Sequence, residues 1–349
     1  MHMADALLSP AVGGTMWAAT AAILGYSAKK VKTALDDQLL PLMGVLGAFI
    51  FAAQMINFTI PGTGSSGHLG GGLILAILLG PHAAFLVMAS VLTVQALFFA
   101  DGGLLALGCN VFNLGVFPCY IVYPLLYRGI AGANPTPGKI TAASIISAVV
   151  GLQLGAFAVV METVFSGISE LPFSTFVLAM QPIHLGIGLV EGIVTAGVIN
   201  FVRTAEPEIV NRMAISQSVK TVGHKQVLIG LLISTILIGG VVSWFASSNP
   251  DGLEWSMSKV SGKEELEGPE HGIHGILAGL QKKIAFLPDY DFKTNLSEPE
   301  STPKKNDPSP VDVGTSMSGL VGAIITLFII VGLGLLLKKR GMSGTATNR

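Results

Sequence analysis

Long apolar runs separated by short polar breaks fill the first two-thirds of the chain, and two more runs follow towards its end. A helix needs about 20 apolar residues to cross a bilayer. Membrane helices are predicted over 11–28, 39–58, 69–80, 82–100, 103–127, 140–162, 182–202, 226–246 and 317–337. The third run is short and opens on Gly70, Gly71 and Gly72, so it is expected to begin inside a cavity rather than at the membrane surface. Residues 247–316 break the pattern. They are rich in Pro, Ser, Asn and Asp and carry seven lysines against twelve acids. That is too much charge for a loop in the bilayer, so a small outer domain or partly ordered hairpin is predicted, with Ser297 to Pro310 a flexible linker. The fold class expected is an all-α polytopic membrane protein.

Composition and charge sharpen this picture. The chain is 51% hydrophobic and 12% charged, with a mean hydropathy of +0.67, whereas a soluble domain carries about 25% charge. An ordinary cytosolic enzyme and a disordered chain are thereby excluded. A formal net charge of −1 leaves no basic field for nucleic acid. The cations of the first 225 residues are Lys29, Lys30, Lys32, Arg128, Lys139, Arg203, Arg212, Lys220 and Lys225. All of them fall on one side if the N-terminus is outside, and Lys338, Lys339 and Arg340 after the last run fall there too. The alternate loops 59–70, 101–102 and 163–181 hold no Lys or Arg. By the positive-inside rule the N-terminus is outside and the C-terminus cytoplasmic. Cys109 and Cys119 lie in one apolar run; on a helix about 15 Å of rise separates them, too far for a disulfide, so both read as packing residues.

The chemistry is expected at the first two residues. No basic n-region or cleavage site marks a signal peptide, and the bulky His2 protects Met1 from removal, so a free amine is expected at Met1. The Met1 amine, the His2 backbone nitrogen and His2 Nδ1 can close a five- and a six-membered chelate ring, placing three nitrogens in one plane. Displacing an amide proton requires a metal that rewards a square-planar nitrogen field: Ni(II) and Cu(II) do so, Co(II) less strongly. Binding should release protons and weaken at acid pH. The fourth nitrogen is assigned to His68 in the outer loop Thr63-Gly64-Ser65-Ser66-Gly67-His68-Leu69-Gly70, whose glycines permit close backbone approach.

Four separated stretches carry a family resemblance. The opening Met1-His2-Met3-Ala4-Asp5-Ala6-Leu7-Leu8-Ser9-Pro10 resembles that of the NikM/CbiM family, the substrate-binding S components of group I energy-coupling-factor (ECF) nickel and cobalt transporters. Ser66-Gly67-His68-Leu69-Gly70-Gly71-Gly72, the block from Val94 through Asp101-Gly102-Gly103 to Asn110, and His184-Leu185-Gly186-Ile187-Gly188-Leu189-Val190-Glu191-Gly192 follow in family order. One departure is Ala6, where family members often carry Gly after the acidic residue. The resemblance implies a seven-helix S component over 1–215, with Met1, His2 and His68 holding the metal in a square plane. It also implies a membrane T component and two ATPase subunits as partners, in a prokaryotic cell membrane. Asn249-Pro250-Asp251-Gly252-Leu253-Glu254 resembles the PDGLE motif of NikN-type accessory proteins, and Leu287-Pro288-Asp289-Tyr290 fits the same segment. Residues 216–349 are thus expected to form an accessory unit of two further transmembrane helices, 226–246 and 317–337, flanking the outer segment 247–316. The substrate is expected to be Ni(II), with Co(II) the alternative, and no resident cofactor is expected.

Gln95, Asn110 and Asn113 are polar residues within spans. They are expected either to orient the metal ligands, as outer partners do at metal sites, or to hydrogen-bond between helices. His184 and Glu191 share a helix face and lean structural, while His82, His271 and His274 are expected to be solvated. No G-x-x-x-x-G-K-[ST] occurs, so ATP hydrolysis belongs to other subunits. Gly64-Ser65-Ser66-Gly67 also matches a G-x-S-G tetrapeptide of intramembrane serine proteases, with His184 as a conceivable base. A secondary metal transporter with mid-membrane carboxylates is the third reading; the spans offer it almost only Glu162 and Glu191.

Overall fold

The computed structural model describes residues 2–34, 39–214, 225–269, 271–292 and 312–343. The predicted linker at Ser297 to Pro310 lies outside them, as does Met1. A helix occupies each of the nine apolar runs. They are α1 (Pro10–Ala34), α2 (Leu39–Gln54), α3 (Gly72–Leu79), α4 (Pro81–Phe98), the stretch from α5 (Leu107–Val111) to α6 (Arg128–Ala131), α7 (Pro137–Ser166), α8 (Phe173–Ala205), α10 (Lys225–Gly240) and α13 (Val313–Ser343). A short amphipathic α9 (Pro207–Ala214) follows α8, and α11 (Gly252–Ser261) and α12 (Gly272–Ile284) lie between α10 and α13. Five helices among the described residues are long and apolar enough to cross a membrane, and Leu39–Gln54 and Lys225–Gly240 are shorter apolar helices. The protein is an all-α polytopic membrane protein.

Burial separates inner from outer helices. α3 is buried along its whole length and α2 nearly so, and both are apolar all round, as an interior helix must be. α3 has only eight residues, about 12 Å of rise, so it cannot cross a bilayer alone. It starts within the bundle beside Glu191, which explains the short third run. α7, α8, α10 and α13 instead present Phe165, Leu178, Ile193, Ile236 and Phe328 outwards, the pattern of helices facing lipid. Between α5 and α6, Pro118 and Pro124 remove two ladder donors, and Phe112–Tyr127 widens into π-type turns.

The apolar helices α10 and α13 dock through small residues. A Cβ at Gly319 would lie 2.4 Å from the Gly239 carbonyl oxygen, so α10 and α13 cross at backbone contact. Gly47 faces Ile330 and Gly44 faces Val331, so the Gly44–Ala48–Ala52 stripe of α2 meets α13. That stripe serves internal packing.

Candidate metal centre

The N-terminal segment is threaded into one end of the bundle. Met3 is fully buried; its N–H donates to Asn110 Oδ1 (2.8 Å), and its carbonyl accepts from Asn110 Nδ2 (3.2 Å) and Gly103 N (3.0 Å). Asp5 Oδ1 accepts from Ala106 N at 2.9 Å. Two glycines make this approach possible. Gly102 has φ +80°, and a Cβ there would sit 2.8 Å from Asn110 Nδ2 and 3.2 Å from His2 Cβ. A Cβ at Gly103 would overlap Asp5 Oδ1 and lie 2.5 Å from Asp5 N. Gly103→Ala is therefore expected to push the N-terminal segment out of its groove and weaken metal binding at least ~10-fold, a loss of the size outer partners of a metal ligand carry. Titration calorimetry beside the wild type reads it, and equal affinities would contradict the packing argument.

The second wall is a hairpin. β1 (Phe58–Ile60) pairs antiparallel with β2 (Ser65–Gly67), with Ile60 opposite Ser65, and the turn between them uses Gly62 and Gly64 at positive φ. His68 follows β2 directly. Its ring stacks on that of His2, centroids 5.0 Å apart and planes 20° apart. Below it, Glu191 of α8 accepts from Gly70 N (2.8 Å) and Gly71 N (3.1 Å). These are orphan donors where the chain enters α3, so the carboxyl both caps that helix and fixes the loop bearing His68. Gln54 reaches the Gly70 carbonyl from the other side and receives Gln95 Nε2 at 3.0 Å. Gln95 and Asn110 thus support the loop and the N-terminal segment respectively. Asn113 donates to Glu162 instead, at 2.8 Å.

The donor chemistry is set by these contacts. His68 Nδ1 donates to the Leu69 carbonyl at 3.1 Å, which leaves the lone pair on Nε2. Burial pushes the His68 pKa down to about 3, so the ring is neutral at physiological pH. His2 Nδ1 is 2.8 Å from Asp101 Oδ1 and donates to it, while His2 Nε2 is buried with no hydrogen-bond partner among the described residues. Burial alone would raise the Asp101 carboxyl, but His2 and the Tyr290 hydroxyl outweigh it and hold it well below the usual carboxylate range. Among the described residues, no group of three or more His, Cys, Asp or Glu side chains forms a metal cage.

The outer segment closes over this site. Asp251 caps α11 in a reciprocal box with Glu254: Leu253 N and Glu254 N donate to Asp251 Oδ1, and Asp251 N donates to Glu254 Oε2. The preceding carbonyls hold the loop that carries His68. Ser66 N donates to the Pro250 carbonyl (2.8 Å), Ser66 Oγ to that of Asn249 (2.7 Å), and Trp255 Nε1 to that of Thr63 (3.0 Å). His274, expected in solvent, is buried, and its Nε2 donates to the Leu8 carbonyl at 2.8 Å. His82 is likewise engaged, with Tyr120 Oη at 3.1 Å from Nδ1. A cavity of about 490 Å³ remains, lined by His2, His68, Asp101, Asp251, Glu254 and Tyr290 among others.

Comparison with known proteins fits this architecture. Residues 2–209 match the CbiM family, described as a cobalt uptake substrate-specific transmembrane region. The chain belongs to the CbiM family. Residues 225–339 of this CbiM protein match the PDGLE domain. A putative fused nickel transport protein NikMN of Archaeoglobus fulgidus is 38% identical over 214 residues, covering 61% of this chain and 69% of that protein. A probable fused nickel transport protein LarMN of Lactiplantibacillus plantarum is 28% identical over 343 residues, covering 95% and 97%. A crystal structure of a truncated transition metal transporter superposes with a TM-score of 0.52 at 31% identity, over 59% of this chain and 99% of that one. These relatives are named as nickel or transition metal transport proteins, and the CbiM protein is accordingly a component of nickel or cobalt transport.

Asp101, Asp251, Glu254 and Tyr290 were not singled out as site residues by the sequence reasoning. Their signals were present: Asp101 opens the Asp-Gly-Gly of the central block, Asp251 and Glu254 stand in Pro-Asp-Gly-Leu-Glu, and Tyr290 ends Leu-Pro-Asp-Tyr.

Proposed function

We propose that this protein is the substrate-binding component of an ECF importer for Ni(II), with residues 1–215 as the metal-binding unit and 216–349 as an accessory unit folded over it. The metal is held in a square plane by the Met1 amine, the His2 amide nitrogen and imidazole, and His68. The observation that carries this reading is the stacking of the His2 and His68 rings at 5.0 Å, with the N-terminal segment clamped by Asn110 and Gly103. Two groups 66 positions apart in the chain are thereby brought together at the wall of one cavity. Neutral imidazole and an amide nitrogen suit Ni(II) better than Co(II). The near full-length likeness to a protein named as a fused nickel transporter supports the same metal. The N-terminus faces outwards in this reading and the C-terminus the cytoplasm of a prokaryotic cell. Energy comes from two ATPase subunits coupled through a membrane T component.

Metal enters from outside, the 59–70 loop and the N-terminal segment close on it, and ATP hydrolysis elsewhere reorients the component. The test is nickel uptake into vesicles holding the complete complex. Uptake is expected with ATP and the ATPase subunits present and absent without them. ATP-independent uptake by this chain alone would favour a secondary transporter.

A further inference from the structure

His2 is held in this structure through the atom that the proposed chelate requires. Its Nδ1 donates to Asp101 Oδ1 at 2.8 Å, and the other carboxylate oxygen, Oδ2, accepts from the hydroxyl of Tyr290. Asp101 lies in the loop after α4, and Tyr290 belongs to the outer segment 189 positions further on. Three backbone bonds seat that part of the segment against α4: Phe286 N and Leu287 N donate to the Phe98 carbonyl, and Asp289 N to that of Phe99 (2.9 Å). The Tyr290 ring stacks on Phe99 at 5.1 Å.

Backbone strain marks the same place. The non-glycine residues with positive φ among the described residues are Ala100 (56°), Asp289 (52°) and Tyr290 (60°). All three are at, or adjacent to, the two members of this contact. L residues rarely hold that region unless their surroundings over-determine them, and such outliers gather at functional contacts.

We propose that Tyr290 and Asp101 form a latch that holds His2 off the metal, so that the accessory unit sets the rate at which the nitrogen site loads. This rests on the chelate reading above. Asp101 and Tyr290 are positioning residues: neither touches the metal, and both act through the orientation of the His2 ring. Before Nδ1 can bind metal, its hydrogen bond to Asp101 breaks, the Nδ1 proton leaves through solvent so that Nε2 carries the ring's N–H, and the ring turns from the carboxylate towards the chelate. Asp101 then stays ordered on Tyr290, ready to take the ring back after release.

The test is stopped-flow nickel association with the full chain in detergent, followed by the absorbance of the nickel–nitrogen chromophore. The variants are Tyr290→Phe, Asp101→Asn and the double variant. Tyr290→Phe keeps the ring on Phe99 and changes no charge. Asp101→Asn replaces a charge-assisted bond by a neutral one of roughly half the strength. The latch predicts that each single variant loads ~10-fold faster, since a bond of this class must break first. It also predicts that the double variant loads no faster than Asp101→Asn alone, because both act on one contact. Asp251, Glu254, Glu265 and Asp289 still line the cavity in every variant, so the field drawing cations remains. Unchanged or slower loading, or multiplying effects in the double variant, would overturn the latch. His2→Ala run in parallel separates the two claims. If it binds nickel like the wild type, the chelate reading fails; if it abolishes binding while Tyr290→Phe loads at the wild-type rate, only the latch fails.

Discussion

Adding one residue ahead of Met1 is expected to cost this protein at least ~1,000-fold in nickel affinity, about 4 kcal/mol. The added residue turns the Met1 amine into an amide and displaces the free amine from the five-membered ring. Nickel then loses the strongest field donor and the anchor from which the His2 amide is deprotonated. His2→Ala should act as severely, because it removes the imidazole that closes the six-membered ring. His68→Ala should act less severely, because three donors survive on one rigid segment. Calorimetry of the purified chain reads all three. Affinity unchanged by the extension would eliminate the amine as a ligand while leaving His2 and His68 in place.

The second large effect is expected at Glu191. Its two carboxyl oxygens satisfy Gly70 N and Gly71 N at a buried position. Glu191→Gln leaves one acceptor oxygen and turns an amide NH2 towards a backbone N–H. An unmet buried donor costs about 1–3 kcal/mol, and the donor–donor clash adds to it. A thermal midpoint lowered by roughly 5–10 °C is expected at matched scan rate. Nickel affinity should fall in parallel, because the loop carrying His68 loses its anchor. A variant as stable as the wild type would mean that the loop is held by the Gln54 and Ser66 contacts alone.

The sequence shows its helices because the membrane demands them: apolar runs are continuous where lipid or a dry core surrounds the chain, and each predicted run contains a helix. The meeting of His2 and His68 is also legible, since the charge pattern puts the N-terminal segment and the only histidine of the hairpin loop on one side. Loop closure was not. The contacts of Tyr290 with Asp101, His274 with Leu8 and Gln281 with Gly102 each join positions more than 170 residues apart. They involve single polar groups with no periodicity, so nothing local announces them. His274 illustrates the cost: it follows a charged stretch and reads as solvated, yet it is buried because a carbonyl of the N-terminal segment is waiting for it. The Pro-Asp-Gly turn was legible as turn chemistry, but that its preceding carbonyls would dock on Ser66 depends on tertiary placement alone.

X-ray absorption at the nickel edge of the loaded full-length chain distinguishes a metal held in nitrogen from one held among the carboxylates of the cavity. The spectrum expected is four-coordinate and planar, with nitrogen neighbours only and imidazole scattering from His2 and His68. An octahedral spectrum dominated by oxygen would place the metal on Asp101, Asp251 and their neighbours and contradict the chelate.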